Sequence, residues 1–248
     1  MTETANIKPQ GHGRRFWVAL VLLPIALAIL VALGTWQVKR LYWKEDLLAS
    51  IEQRSTAEPV DVNGIEAALQ AGEPIDYRAA RASGTFLNDK ERHFFATFEG
   101  QSGYYVYTPL TLEDGRFLFI NRGFVPYDQK EPSTRPQSLV SGEQRIEGLA
   151  RAKLTEKPSS MVPENDEGGN IFYWKDLDRM AATVDLPADK VLPFFLDADA
   201  TPVTGGLPRG GVTVIDLPNN HLQYAITWYG LALALLGVSI FGWIKRKS

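Results

Sequence analysis

The sequence predicts a membrane protein in which two transmembrane α-helices, one N-terminal and one C-terminal, flank one β-rich α+β domain outside the bilayer. Residues 16–34 and 224–244 are apolar and contain no charged residue. A helix rises about 1.5 Å per residue, so about 20 apolar residues cross the ~30 Å hydrocarbon core. The region between them has a mixed, strand-prone composition and is long enough for one compact domain.

These stretches define the predicted organisation of the chain. A polar cytoplasmic tail (1–15) precedes the first transmembrane helix (16–38), which leads into a periplasmic β-rich domain with a helical entry segment (39–222). The second transmembrane helix (223–244) ends in a basic cytoplasmic tail (245–248). The chain is therefore expected to be anchored in the membrane at both ends of its domain.

A cleaved signal peptide is the alternative interpretation of the first span. Ala32 and Gly34 fit the small-residue pattern of a cleavage site, but about 19 apolar residues exceed the usual core of about 7–15 residues. Residues 36–54 are rich in Leu, Lys, Glu and Ala, which favour helix. The sequence therefore favours a retained helix that continues several turns beyond the membrane.

Basic residues around the second span indicate its orientation. Lys245, Arg246 and Lys247 follow it directly, whereas only Arg209 lies shortly before it. The basic residues on the two sides of the first span are equal in number, so that span does not indicate an orientation. Since basic flanks stay on the cytoplasmic side, and two spans place both termini together, both termini are predicted to be cytoplasmic (or in the matrix of an organelle) and the domain outside.

The composition excludes several classes of function. Residues 45–220 carry 28 Asp and Glu against 17 Lys and Arg. Such an acidic domain argues against a nucleic-acid partner, because phosphates require a basic surface. The chain contains no cysteine, which excludes thiolate catalysis, iron–sulfur clusters and thiol-based copper or zinc sites.

Local signals predict the elements of the domain. Runs of β-branched and aromatic residues indicate strands, Gly, Asn and Asp indicate turns, and short apolar periodicity indicates helices. Strands are predicted at 103–112, 117–125, 144–150, 191–196 and 212–217, a hairpin turn at 114–115, another turn at 63–64, a polar loop at 165–169, and helices at 65–70 and 174–184.

His221 is the leading candidate for a functional side chain. Pro218 cannot continue a helix, and Asn219 or Asn220 is a good N-cap, so His221 is expected in the first turn of the second membrane helix. The positive helix end disfavours a charged imidazole, and a neutral imidazole is what a metal or haem iron needs. Trp228 lies about 20° away around the helix. The alternative is an interfacial residue above an aromatic belt.

The first helix carries a companion stripe. Trp36, Arg40 and Trp43 are spaced i, i+4, i+7 and share a face at the outer membrane interface. The arginine could pair with a haem propionate or a lipid phosphate and stack on an indole. Snorkelling and anchoring are the alternative role. If the two helices pack together, the sequence predicts one aromatic site with a neutral imidazole and a cation.

Hydrolytic chemistry finds little support. His93 is the only histidine in the body of the domain, where a surface or packing role is expected, and no serine lies in a nucleophile elbow. Asp197 and Asp199 could serve as acid and base, but a solvated acidic loop is the preferred interpretation.

Three motifs in this order resemble the Surfeit locus protein one (Shy) family of cytochrome c oxidase assembly factors. They are GTWQVKRLYWK at 34–44, NRGFVP at 121–126 and NNHLQYAITW at 219–228. The resemblance covers nearly the whole chain and is weakest over 58–101. In the central motif, we interpret Gly123 as a backbone requirement and Arg122 as a carboxylate partner, and a structural role for both and for Asn121 is equally open.

The resemblance implies that the protein is not an enzyme but an assembly factor that binds haem a transiently and aids its insertion into the catalytic subunit of cytochrome c oxidase. It implies His221 as the axial ligand of the haem iron, and we add Trp36, Arg40 and Trp228 by geometry. The implied partners are the oxidase catalytic subunit, a haem a synthase and the lipid bilayer, in a bacterial inner membrane. The alternatives are a scaffold that stabilises an oxidase intermediate without touching haem, and a haem-modifying membrane enzyme.

Overall fold

The computed structural model describes residues 12–215 and 217–245. The chain divides into two compact units. One consists of Met1–Ala49 and Leu217–Ser248, and the other of Ser50–Asp216. The first contains the apolar parts of the two long helices, and the second contains the last residues of the N-terminal helix and the β-rich domain.

Two helices of the described chain, α1 (His12–Thr56) and α4 (His221–Lys245), are long and apolar enough to cross a membrane. Only 11% of each apolar window is buried in the protein, whereas the core helix of a soluble protein would be mostly covered. The apolar side chains therefore face outward, as membrane spans require. Helix α1 continues well beyond its apolar part, as predicted, and it already includes residues 12–15 of the predicted polar tail. Residues 1–11 and 246–248 of the two predicted tails lie outside the described residues.

The domain is built around a five-stranded barrel. Its sheet has the order β1-β2-β6-β7-β5-β4-β3, and an additional antiparallel pairing of β2 with β4, from Gly84 opposite Leu112 to Phe86 opposite Leu110, closes it. The strands are β1 (Val60–Asp61), β2 (Ala79–Phe86), β3 (Arg92–Phe98), β4 (Gln101–Leu112), β5 (Phe117–Pro126), β6 (Glu143–Ala152) and β7 (Val191–Ala198). The strands β1 and β3 extend the sheet outside the closed part.

Both faces of the barrel wall are covered. The interior cluster takes residues from all five barrel strands, such as Leu118 and Ile120 of β5, and from helix α2 (Val62–Gln70). Phe119, between those two residues, belongs to a second cluster with helix α3 (Leu177–Ala182). Since successive side chains of a strand point to opposite faces, α3 packs on the outside of the barrel.

The hairpin prediction is confirmed. Strands β4 and β5 pair in antiparallel fashion around the turn, where Gly115 has a φ of +79° and its amide donates to the Leu112 carbonyl at 3.0 Å. The predicted strands at 144–150 and 191–196 lie within β6 and β7, and the polar loop at 165–169 lies in a tight turn closed by a bridge between Asp166 and Ile171.

The strand predicted at 212–217 is wrong. Residues 212–215 and 217 have no regular structure. Val212 is buried, and the Thr213 hydroxyl donates to the Asp197 carboxylate at 2.6 Å. This segment is held by its side chains, so its β-prone residues serve packing and not a ladder of backbone hydrogen bonds.

Two helix predictions need correction at their ends. The predicted turn at 63–64 is helical, because Asp61 caps α2 by accepting a hydrogen bond from the Gly64 amide at 2.8 Å. The helix predicted at 174–184 is limited to Leu177–Ala182. Asp176 caps it by accepting from the Arg179 amide at 3.1 Å, so the preceding residues stay outside.

Candidate functional site

His221 is the first residue of helix α4, directly after Asn220, as the sequence predicts. Its Nδ1 lies 2.7 Å from Oε1 of Gln37 on α1. An amide oxygen can only accept a hydrogen bond, so Nδ1 carries the proton in this arrangement. The neutral ring then keeps its lone pair on Nε2, which makes no hydrogen bond with any described residue.

Gln37 is nearly buried, with 9% of its surface exposed. It lies one turn beyond Gly34, which is also buried. Sequence reasoning missed this residue, although a signal was available: a glutamine three positions after a glycine on an apolar helix shares the face on which a neighbouring helix can approach closely.

Tyr229 of α4 locks the same helix interface. Thr35 Oγ1 donates to the Val31 carbonyl at 2.9 Å, so the Tyr229 hydroxyl, 3.0 Å from that oxygen, is the donor between the two helices. A Cβ atom added to Gly34 would lie 2.8–3.0 Å from the Tyr229 ring. The absence of a side chain at Gly34 therefore permits the close approach of the two helices.

Replacing Gly34 by leucine is expected to destabilise this helix pair by about 1–3 kcal/mol, the usual effect of overpacking. The added side chain must displace the Tyr229 ring and break its hydrogen bond to Thr35. Denaturant unfolding of the full chain in detergent micelles, followed by circular dichroism, measures the change. Gly230→Leu is the matched control, since nothing lies within 4 Å of a Cβ there. If both variants lost the same free energy of unfolding, the close approach of the two helices at Gly34 would be contradicted.

The other predicted site residues lie around this interface. Trp36 is exposed, with 56% of its surface accessible, and Trp228 is half-buried. The Arg40 guanidinium lies 3.7 Å from the Trp43 ring centroid, as the predicted stacking requires. Thr35 and Gln37 of α1 form hydrogen bonds with α4, so the structure brings His221 to Gln37. Among the described residues, neither Trp36 nor Arg40 forms a hydrogen bond with α4.

The donor set around His221 suits a haem better than a bare metal ion. Within residues 12–215 and 217–245, no group of three or more His, Cys, Asp or Glu side chains could hold an ion. A porphyrin supplies four nitrogen ligands itself and needs one or two axial ligands from the protein. A neutral imidazole with a free Nε2 meets that requirement.

The central motif occupies a different place, inside the domain. Arg122 pairs with Glu91 at 3.4 Å and donates to the Ser138 carbonyl at 2.5 Å, which confirms the predicted carboxylate partner. Arg135 also binds both carboxylate oxygens of Glu91. All three charged side chains are buried, and Arg135 further donates to Ser138 Oγ at 3.0 Å. This cluster ties the loop between β5 and β6 to the barrel.

The charge of Glu91 is stabilised by its partners. Burial by itself raises the pKa of Glu91, but the nearby His93 imidazole, the hydrogen bonds and charge of Arg135 and the charge of Arg122 outweigh it, so the pKa lies below its usual value. His93 is buried in β3 with Nε2 at 3.7 Å from Glu91. Of the two roles expected for His93, packing is confirmed and a surface role is wrong.

Asn121 and Gly123 also serve the fold. The Asn121 side chain donates to Asp197 at 3.0 Å and accepts from the Gly123 amide at 3.1 Å. Gly123 has a φ of +118°, and a Cβ there would overlap the Arg209 carbonyl oxygen, which confirms the predicted backbone requirement. Asp197 is only 3% exposed and lies in β7, so its assignment to a solvated acidic loop is wrong. Its carboxyl group accepts hydrogen bonds from Asn121 and Thr213 inside the domain.

Comparison with known proteins places these features in context. The SURF1 family model matches residues 24–233, a range that includes all three motifs. Surfeit locus protein 1 of Rattus norvegicus is 37% identical in an alignment 248 positions long, which covers 94% of this chain and 76% of that protein. Surfeit locus protein 1 of Homo sapiens is 36% identical, and the alignment covers 98% of this chain and 81% of that protein. A SURF1-like protein of Monosiga brevicollis is 35% identical, and the alignment covers 100% of this chain and 93% of that protein.

Proposed function

Because the chain belongs to the SURF1 family, we propose that it is an assembly factor for haem–copper cytochrome c oxidase that binds haem a transiently and aids its insertion into the catalytic subunit. One observation carries this proposal. His221 stands at the start of a membrane-type helix with its Nδ1 engaged by Gln37 and its Nε2 free of hydrogen bonds among the described residues. This arrangement supports the proposed role of His221 as an axial haem ligand.

The haem is cargo in this proposal, so its binding must be reversible. A single strong axial ligand, His221, with the second position weak or open, allows the haem to leave. Arg40, exposed and stacked on Trp43, is the candidate partner for a propionate, and Trp36 and Trp228 are candidate flanking surfaces for the porphyrin. Support for the last three roles is their position on the helices that carry Gln37 and His221.

The proposal places the protein in a bacterial inner membrane, with both termini cytoplasmic and the acidic domain periplasmic. The basic residues Lys245, Arg246 and Lys247 after the second span support this orientation. A haem a synthase on the donor side and the oxidase catalytic subunit on the acceptor side are the proposed partners, within the lipid bilayer. Stoichiometric binding without turnover makes the protein a carrier and not an enzyme.

The test is an absorption spectrum of the full chain purified in detergent from cells that make haem a, compared with His221→Ala. We expect a haem a band in the wild type that is lost or strongly reduced in the variant. His12→Ala is the control, since position 12 lies 25 residues before Gln37, roughly 37 Å along α1, and should leave the band unchanged. An unchanged band in His221→Ala would refute the ligand. A colourless wild type that still promotes oxidase assembly would favour the scaffold alternative.

A further inference from the structure

We infer that Gln37 is a positioning residue that fixes the tautomer of His221 and directs its Nε2 lone pair toward the haem iron. The inference rests on the proposed function, and it assigns to the first helix a role in ligation although that helix supplies no iron ligand. Its basis is the 2.7 Å contact between Gln37 Oε1 and His221 Nδ1. Residues that hold the far nitrogen of a ligating histidine orient the ring and raise its basicity.

The tautomer follows from the chemistry of the two groups. With its oxygen toward His221, Gln37 accepts the Nδ1 proton and leaves Nε2 as the only lone pair of the neutral ring. With its NH₂ group there instead, it would donate to Nδ1, the proton would lie on Nε2, and no nitrogen would remain for iron. The two orientations therefore predict opposite tautomers, and only one of them can ligate a metal through Nε2.

The surroundings of Gln37 explain why it can hold the ring. It is 9% exposed just beyond the apolar stretch of α1, and a buried amide without a partner would cost free energy. The Gly34 contact with Tyr229 and the hydrogen bond between Thr35 and Tyr229 fix α1 against α4 within one turn of Gln37. The imidazole is thus bound to a rigid helix pair and not to a mobile side chain.

His93 provides an opposite case inside the same chain. Asn170 Nδ2 donates to the Glu91 carbonyl oxygen at 3.0 Å and lies 3.0 Å from His93 Nδ1, so that Nδ1 accepts and the proton lies on Nε2. The chain contains three histidines in total. A histidine spectrum of the protein is therefore simple, and His93 supplies an internal reference for the tautomer that is protonated on Nε2.

The first experiment needs no haem. Full-length protein labelled with ¹³C,¹⁵N-histidine in lipid nanodiscs is examined by NMR, and His221→Ala identifies the His221 signals. We expect a protonated Nδ1 and a bare Nε2 for His221, with the reverse for His93. In Gln37→Leu the His221 preference should be lost, while Gln37→Glu, which keeps an acceptor, should retain it. A wild-type His221 with the proton on Nε2, or a Gln37→Leu spectrum identical to wild type, would overturn the inference.

The second experiment measures haem a binding by titration in detergent. Gln37→Leu is expected to bind about 10–100-fold more weakly, the usual effect of removing such a support, and Gln37→Glu close to wild type. Thr35→Val is the matched control, because it removes a hydrogen bond from the same helix interface without touching His221. Equal weakening by Thr35→Val and Gln37→Leu would reduce Gln37 to a packing role and overturn the inference.

The two proposals fail in different ways. A wrong tautomer in the haem-free protein rejects the role of Gln37 while leaving haem binding to be judged by the His221→Ala spectrum. A correct tautomer combined with haem binding that is unchanged in His221→Ala rejects the haem proposal itself, and the role of Gln37 in ligation with it.

Discussion

Replacing Glu91 by glutamine is expected to lower the free energy of unfolding of the domain by about 3–5 kcal/mol, the usual effect of breaking a buried ion pair. Glutamine preserves the shape of the side chain but removes the one carboxylate that Arg122 and Arg135 share. Both guanidinium groups are about 5% exposed, so their charges would stay buried without compensation. Urea unfolding of the full chain in detergent, followed by circular dichroism, measures the loss.

The exposed ion pair of Glu167 with Arg179 supplies the control. Glu167→Gln removes a carboxylate that is bound through two hydrogen bonds at 2.7 and 2.6 Å but in contact with water, so little change is expected. If both variants lost the same stability, the burial of the Glu91 cluster would not be the reason for its effect.

The same variant has a predictable pH dependence. Because the pKa of Glu91 is lowered in the folded protein, its charge stabilises the fold above the ordinary glutamate value of 4.5, and this contribution disappears as the pH falls through the lowered pKa. The stability gap between wild type and Glu91→Gln should therefore be constant near neutrality and narrow in acid. A gap that widened below pH 4.5 would contradict the direction of the shift.

Replacing Gly123 by alanine is expected to cost about 3 kcal/mol or more, because two penalties combine. A φ of +118° is strained for any residue with a Cβ, and that Cβ would meet the Arg209 carbonyl and the Gly210 amide nitrogen, the latter at 2.6 Å. The backbone cannot yield easily, since Phe124 and Arg209 exchange two hydrogen bonds of 2.8 Å beside it. The midpoint and slope of urea unfolding give the loss.

Gly115→Ala separates the two penalties. Gly115 has a φ of +79° in the hairpin turn, but nothing lies within 4 Å of a Cβ there, so it should lose only the left-handed penalty of about 1–2 kcal/mol. The remaining loss in Gly123→Ala then measures the overlap with Arg209. If Gly123→Ala and Gly115→Ala lost the same free energy of unfolding, the segment that carries Arg209 would have to move away without cost.

Local sequence signals predicted the parts of the fold that depend on neighbouring residues. The hairpin around Gly115, the start of α4 at His221 and the continuation of α1 beyond Gly34 all follow from caps, turns and composition within a few residues. The family, predicted from three short motifs, is confirmed. Failures arose where a side chain farther along the chain decided the outcome, as with Thr213, whose hydroxyl binds the Asp197 carboxylate of β7 while its segment forms no strand.

Contacts between distant residues could not be predicted in this way. The pairing of β2 with β4 that closes the barrel has no local signature. Glu91 and Arg135 are 44 positions apart, and neither lies in a recognisable pattern of paired charges. Gln37 and His221 are 184 positions apart, and their contact depends on the rotation of two helices. The sequence therefore identified the histidine but not the residue that holds it.

The position of β7 in the barrel has a consequence for how the protein is made. Strand β7 (residues 191–198) lies between β5 and β6 in the barrel, although both of those strands are synthesised earlier. The growing chain therefore carries an open sheet with two unsatisfied edges until its last strand emerges, a state in which sheets pair wrongly or aggregate. Only 22 residues separate the end of β7 from the start of α4. Completion of the barrel and synthesis of the second apolar helix thus fall almost together in time.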